Sequence, residues 1–204
     1  QADLPKYFNG EEVTSKLQKA IHYIIGTEFD VALNTTLNVE AYYKDFRQLT
    51  SMNRNQVYSV EDAPIGTPEI EKKDFMVERG KAYGLDFSLK YDSHRWYLWG
   101  AYSLGYVNKD YEDSNGDIHT YRTHYDRRHN VNLLATYTAG AKNQWEFSAR
   151  WNFGTGFPFT QVTGFYEELP YNNIDFDPYT ESGYLGILYD ELNTGQMPTY
   201  HRLD

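Results

Sequence analysis

The sequence predicts an all-β, antiparallel fold, and three observations lead to this prediction. Apolar and polar residues alternate with a period of two in several segments, most regularly over residues 145–153. Aromatic residues make up 17% of the 204 residues and stand beside 15 glycines, a composition that suits strands and turns better than helices. The connections between the alternating segments are short and long in turn.

The first hairpin is expected after residues 1–19, which read as a loop because they contain Pro5, Gly10 and mixed charges. Residues 20–30 and 37–44 alternate between apolar and polar side chains, so each is predicted to be a strand. A tight link near residues 34–36 joins the two strands. Residues 46–78 show no sustained alternation and hold two prolines, so they are expected to form a long loop.

The second hairpin is predicted from residues 83–91, which alternate, and residues 96–107, which are apolar on both faces. A short turn at residues 92–95 joins these strands. The connection that follows, residues 108–125, is long and contains the dipeptide Asn115-Gly116. That dipeptide suits a type I′ turn, so a small hairpin is expected to project there.

The third hairpin combines residues 131–137 with residues 145–153, through a short link at residues 139–143. A third long loop runs to about residue 198, and residues 200–204 read as the start of a seventh strand. Short and long connections therefore alternate, as they do in outer-membrane barrels, which have short periplasmic turns and long extracellular loops. A soluble sandwich has no reason to keep this order, so a transmembrane barrel is favoured over it.

Composition excludes several other classes of protein. A net charge of −10 argues against a nucleic-acid partner held by basic patches. No apolar run approaches the ~18 residues that a transmembrane helix needs, although a spanning strand needs only about ten residues with every second one apolar. Because the chain has no cysteine, disulfides, thiolate metal sites and cysteine nucleophiles are excluded.

Several segments, in order along the chain, resemble the C-terminal part of the barrel of TonB-dependent outer-membrane receptors. Residues 80–86 are similar to the Gly-x-Ala-x-Gly-x-Glu strand of that family, with Asp86 in place of the usual Glu. Residues 125–130 resemble its Asp-x-x-His strand entry, and residues 154–160 its Gly-x-Pro-Tyr/Phe-Thr strand exit. Further segments that resemble the family's strands are residues 21–28, 39–45 and 198–204.

The resemblance implies a barrel of about 22 strands, closed by an N-terminal plug and located in the outer membrane. Residues 1–204 would be a C-terminal segment of that barrel, with six strands and the opening of a seventh, and without the plug or the last strands. Such a receptor captures a scarce solute at the cell surface and imports it into the periplasm. The partners implied are the TonB energy-coupling complex, acting through the plug, outer-membrane lipid, a small-molecule or oligomeric solute and, in one branch, a surface lipoprotein.

Ligand capture is expected in the long loops, because aromatic rings beside acidic residues bind sugars, heterocycles or cations. For any single ring, packing within the loop is the better explanation, so the prediction concerns the group. The candidate ligand-binding residues are Tyr111, Tyr121, Phe165, Tyr166, Tyr171, Phe176, Tyr179 and Tyr184. Polar rows would face the lumen, and the residues expected there are Glu40, Tyr42, Asp86, Arg150 and Asn152.

Catalysis and metal binding are not expected. Asp126 and His129 lie three residues apart, so on one strand they face opposite ways and do not readily form an acid–base pair. His119, His124 and His129 are spaced by five residues and also alternate faces. The acidic run over residues 110–117 lacks the spacing of an EF-hand, so a solvated hairpin is expected instead of a Ca²⁺ site. No enzyme activity, metal or cofactor is predicted.

Two other functions stay open on the sequence alone. One is a soluble, secreted β-sandwich that binds carbohydrate through its aromatic residues. The other keeps the barrel but uses it as a structural or docking subunit of a larger envelope complex, without transport.

Overall fold

The computed structural model describes residues 7–8, 11–12, 17–53, 65–67, 71–72, 74–113, 115–168 and 184–204. These residues form β-strands and no α-helix, and therefore no helix in this part of the chain is long and apolar enough to cross a membrane. The strands are β1 (Tyr7–Phe8), β2 (Glu11–Glu12), β3 (Lys19–Ala32), β4 (Thr35–Met52), β5 (Phe75–Asp92), β6 (Trp96–Glu112), β7 (Ile118–Arg122), β8 (His129–Ala139), β9 (Trp145–Gly154), β10 (Pro158–Phe159), β11 (Val162–Glu168), β12 (Tyr184–Tyr189), β13 (Gly195–Gln196) and β14 (Tyr200–Leu203).

One eight-stranded sheet dominates the structure. Its strands lie in the order β14-β9-β8-β6-β5-β4-β3, and β7 pairs with the outer part of β6. Every neighbouring pair is antiparallel, so the chain runs up and down through the sheet with each long strand beside the previous one. The prediction of an all-β, antiparallel fold is confirmed.

The six predicted strands correspond to β3, β4, β5, β6, β8 and β9, and β14 is the seventh. The prediction that residues 46–78 form a loop is wrong at both ends, because β4 continues to Met52 and β5 begins at Phe75. At the end of β4, the physical reason is a register shift between Phe46 and Leu49 that places one extra residue in β4, as a β-bulge does. A bulge inserts an extra residue and shifts the alternation of faces, so the strand continues while its sequence pattern stops.

The links between neighbouring strands differ sharply at the two ends of the sheet. At one end, short links over residues 33–34, 93–95 and 140–144 join the strands of the three hairpins. Asn34 and Asn143 have positive φ angles of 61° and 54° there, a conformation that asparagine tolerates better than most residues. We call the opposite end, where all long connections meet, the loop end.

The long connections contain structure of their own. The hairpin predicted around Asn115-Gly116 forms from β6 and β7. Gly116 has a positive φ of 87°, and its amide donates to the Asp113 backbone carbonyl at 3.0 Å. The third predicted loop is also wrong in part, because it contains β11 paired with β12 and β10 paired with β13. Residues 1–19, predicted as loop, include the pairing of β1 with β2 and the start of β3.

The two faces of the sheet differ in polarity, because the register places apolar residues beside apolar residues, and polar beside polar, on neighbouring strands. One row crosses the whole sheet with apolar residues at every position, in the order Phe29, Leu37, Leu89, Gly100, Leu133, Trp151 and Leu203. We call this side the apolar face. The other side, the polar face, carries Glu28, Glu40, Lys44, Asp86, Lys90 and Arg150.

The apolar face has no covering layer among the described strands. Its side chains stay accessible: Trp145 is 66% exposed, Phe147 61% and Leu133 45%. Burial is concentrated instead near the loop end, where Met76, Ala82 and Tyr121 are buried together with polar and charged residues. The described sheet therefore differs from an ordinary soluble sheet, which buries one apolar face in a core.

Candidate functional site at the loop end

The first polar cluster at the loop end is built around Glu78, whose side chain is fully buried. Lys109 Nζ lies 3.2 Å from Glu78 Oε2, and the Tyr121 hydroxyl donates to the same carboxylate at 3.0 and 3.1 Å. Ser51 Oγ also donates to it, and accepts from Lys109 Nζ at 3.1 Å. These four side chains come from β4, β5, β6 and β7, so the cluster joins the outer ends of four strands.

The second cluster is built around Asp126, which is also fully buried. Its Oδ1 accepts the Val107 amide at 3.1 Å, and its Oδ2 accepts Nε of Arg122 at 2.9 Å and Nε of Arg128 at 3.0 Å. The Arg128 guanidinium also stacks on the Tyr106 ring, with 4.1 Å from Cζ to the centroid. With these three donors, the Asp126 carboxylate fixes the segment between β7 and β8 against β6.

A cleft of about 480 Å³ opens beside these clusters. Its lining is mainly aromatic and apolar, and consists of His124, Tyr125, Phe157, Pro158, Phe159, Thr160, Asn193 and Met197. The pairing of β10 with β13 brings its walls together. Asn193 secures them, since its Nδ2 donates to the Arg122 carbonyl at 2.6 Å and its backbone amide donates to Thr160 Oγ1 at 3.1 Å.

Arg127 lies against one wall of this cleft. Its guanidinium stacks on the Phe157 ring, with 4.3 Å from Cζ to the centroid. Gly154 leaves the space for it, because a Cβ at that position would lie 2.7 Å from an Arg127 terminal nitrogen. The Arg127 Nε is buried and makes no hydrogen bond to any described residue. Buried donors without a hydrogen-bond partner are rare in proteins, so the absence of a partner for this nitrogen calls for an explanation.

The predicted ligand-binding aromatics whose side chains the structure describes lie outside the lining of the cleft. Tyr121 is buried in the Glu78 cluster, and Tyr111 lies beside it with ring centroids 5.8 Å apart. Phe165, Tyr166 and Tyr184 belong to the β11–β12 hairpin. Three more fall outside the described residues: Tyr171, Phe176 and Tyr179. Among the residues that the structure describes, none of these eight lines the cleft.

The residues predicted to face a lumen share the polar face. Glu40 and Asp86 are direct cross-strand partners, and Arg150 and Asn152 lie on the same face of β9. The Tyr42 ring extends over two glycines, since a Cβ at Gly84 would lie 2.7 Å from its hydroxyl and one at Gly105 3.0 Å. The Lys44 ammonium is 5.7 Å from the Tyr42 ring centroid.

The histidines and Asp126 have separate partners. His129 Nδ1 is 2.8 Å from the Tyr102 hydroxyl, whereas Asp126 binds arginines and a backbone amide. His119 Nε2 is 3.0 Å from Asp113 Oδ2, and the His124 ring meets Tyr125 edge to face. Within the described ranges, no three His, Asp or Glu residues are placed to hold a metal ion.

The sequence reasoning missed the cleft itself, including Arg127, Phe157 and Met197. The sequence does contain a signal for the cleft, since two of its segments read as strand boundaries. They are Asp126-Arg127-Arg128-His129, a strand entry, and Gly154-x-Gly156-Phe157-Pro158, a strand exit. What the linear pattern did not contain is their proximity, which the sheet creates by pairing β8 with β9. Comparison with protein-family models, with curated proteins and with solved structures returns no match to this chain.

Proposed function

We propose that this chain forms part of the wall of an outer-membrane β-barrel of the TonB-dependent receptor type, which captures a scarce solute at the cell surface and imports it into the periplasm. The observation that carries the proposal is a charge-free band on the apolar face. Between the row Tyr23, Tyr43, Tyr83 and Tyr106 and the row Trp96, Tyr137 and Phe147, that face holds no Asp, Glu, Lys or Arg. Lipid is the environment that such a band fits.

The height of the band agrees with the thickness of the apolar part of a bilayer. Ten residue steps along β6 separate Trp96 from Tyr106, which is about 34 Å at roughly 3.4 Å per residue. A strand tilted by about 40° would span about 26 Å of membrane, and the apolar band of outer-membrane barrels is about 25 Å tall. Directly beyond the tyrosine row the same face becomes charged, where Asp45 pairs with Lys81.

The two aromatic rows themselves support a membrane setting. Tyr83 stacks on Tyr106 with centroids 5.2 Å apart, and Trp96 packs on Tyr137 with centroids 4.5 Å apart. Aromatic side chains are enriched at both membrane–water interfaces, because one end of the ring is apolar and the other is wet. The short links lie next to the tryptophan row, as periplasmic turns do, and the long connections lie beyond the tyrosine row.

The proposal is tested by placing an arginine on each face of β8. Leu133→Arg puts a cation in the middle of the apolar band, and Asn132→Arg puts one on the polar face one residue away. In a bilayer, we expect Leu133→Arg to lower the free energy of unfolding by about 2–4 kcal/mol and Asn132→Arg by much less. Urea unfolding of the full-length protein in lipid vesicles measures both.

A soluble sheet predicts a different outcome. Leu133 would then be an exposed surface residue, and arginine there would change stability by no more than about 0.5 kcal/mol. Equal, small effects of the two substitutions, together with a folded, monodisperse protein in plain buffer, would refute the membrane proposal. A β-sandwich would also need a second sheet packed on the apolar face.

Import is tested separately from membrane insertion. Cells that lack the energy-coupling complex should still bind the solute at their surface but should not accumulate it. A barrel that inserts correctly and supports no accumulation in energised cells would instead be a structural or docking subunit.

A further inference from the structure

We propose that the cleft beside Arg127 binds the anionic group of the solute, so that the solute is an organic anion with an oxyanion such as a carboxylate next to a flat ring. This inference rests on the proposed import function and adds the chemical class of the cargo. It starts from the charges at the loop end. Two arginines, Arg122 and Arg128, form ion pairs with the buried carboxylate of Asp126, and Arg127 lies between them in the sequence.

The Asp126 carboxylate already has three hydrogen-bond donors. One oxygen accepts two arginine Nε–H groups and the other accepts the Val107 amide. None of these donors belongs to Arg127, whose side chain contacts the Phe157 ring and occupies the space above Gly154. The Arg127 Nε is buried and has no hydrogen-bond partner among the described residues, so an acceptor from the cleft would reach the guanidinium through its terminal nitrogens.

The cleft provides the apolar half of the site. Tyr125, Phe157 and Phe159 line it, and the described lining contains no aspartate or glutamate. Flat rings bind well to such surfaces, and a planar guanidinium binds a carboxylate through two parallel hydrogen bonds. The Arg127 guanidinium lies against one side of the Phe157 ring, and 38% of the Phe157 surface is exposed. A ligand can therefore contact the ring and the guanidinium together.

The location suits a selective site on an otherwise acidic protein. With a net charge of −10, the chain as a whole repels anions. A local cation next to the cleft therefore concentrates anionic solutes where the loops meet the polar face, which is the entrance to the lumen in the proposed barrel. Solutes that lack an anionic group gain only the contact with the rings.

The test compares 2-naphthoate with its neutral counterpart, 2-naphthamide, by calorimetry on the full-length protein in detergent micelles. Wild type should bind the naphthoate more tightly, and Arg127→Gln should weaken that binding by about tenfold or more while changing naphthamide binding less than about twofold. Lys142→Gln is the matched control, because it removes one positive charge from the turn at the other end of the sheet. It should leave both affinities unchanged.

Two outcomes overturn the inference: equal binding of the naphthoate by wild type and Arg127→Gln, or no preference of wild type for the anion. Arg127→Lys distinguishes a lost contact from a misfolded protein. It keeps the positive charge but lacks the planar guanidinium, so it should bind the naphthoate with intermediate affinity. The result is independent of membrane insertion. Normal insertion without anion preference refutes only this inference, whereas anion binding by a water-soluble protein refutes only the import function.

Discussion

Glycine and tyrosine form a specific packing arrangement on the polar face. The Tyr42 ring lies over Gly84 of the neighbouring strand and reaches Gly105 of the strand after it. Glycine is usually unfavourable inside a strand, since it loses more conformational freedom than other residues on folding. Here the missing side chains are what allow a large ring to lie flat across three strands.

Replacing one of these glycines should therefore cost stability. In Gly84→Ala the new Cβ would meet the Tyr42 hydroxyl at 2.7 Å and would clash with the Leu104 carbonyl oxygen. We expect the free energy of unfolding to fall by about 1–3 kcal/mol, the range for overpacking. Gly26→Ala is the control on the same face, because its nearest contact would be 3.5 Å. Urea unfolding of both variants measures the change in the free energy of unfolding. Equal changes in Gly84→Ala and Gly26→Ala would contradict the packing argument.

The Glu78 cluster shows how a carboxylate side chain can be buried without destabilising the fold. Its carboxylate is fully buried, yet lysine, tyrosine and serine donors surround it. A buried carboxylate without partners would be strongly destabilising, whereas one with complete partners fixes the groups around it. The cluster therefore sets the relative positions of β4, β5, β6 and β7 at the loop end.

At the scale of elements, the β6–β7 hairpin is closed by one side chain. Asp113 Oδ1 accepts the amides of Asn115 and Asp117, both at 2.9 Å, and its Oδ2 contacts His119 Nε2 at 3.0 Å. The backbone amide of Asp117 contributes most to holding the pKa of Asp113 below its usual value, followed by the His119 side chain. Because these partners favour the charged form, the carboxylate stabilises the hairpin only while it is ionised.

The hairpin should consequently loosen in acid. A carboxyl group with a lowered pKa contributes its stability above the unfolded-state pKa, about 3.9 for aspartate, and loses it as the pH falls through the lower folded-state value. We expect the amide signals of Asn115 and Asp117 to shift with a midpoint below about 3.9 in an NMR titration. Asp113→Asn should abolish the transition. A midpoint above the ordinary aspartate value would contradict the assignment.

The strands also show what local pattern predicts well and what it does not. Residues 145–153 alternate without interruption and form β9 almost to the residue. The same reasoning ended β4 eight residues early, at residue 44, because the bulge after Phe46 reverses the faces. A bulge depends on the partner strand, so its position is not written in the alternation of one segment.

At the scale of the whole molecule, the faces of the sheet separate the four tryptophans. Trp96 and Trp145 lie at the short-link edge of the apolar face, and Trp151 lies in the middle of the band. Trp99 is on the opposite face, where its Nε1 donates to Ser88 Oγ at 3.1 Å. The four tryptophans therefore report on three different positions in the proposed barrel.

Single-tryptophan variants in brominated lipid vesicles make this division measurable. Trp151 should be quenched most by bromines deep in the acyl chains, and Trp96 and Trp145 by bromines near the headgroups, because of their positions in the band. Trp99 should be quenched least. No quenching of Trp151 would mean that the apolar face does not contact lipid, and quenching of Trp99 as strong as that of Trp151 would contradict the assignment of the two faces.

The sequence by itself determined the seven main strands of the sheet, the separation of polar from apolar rows and the alternation of short and long connections. These follow from side-chain periodicity and turn composition, which are local properties of the chain. Tertiary structure alone decided which residues meet at the loop end. Arg127 and Phe157 are thirty residues apart and become neighbours only because β8 pairs with β9, and contact between distant residues depends on register rather than on local pattern.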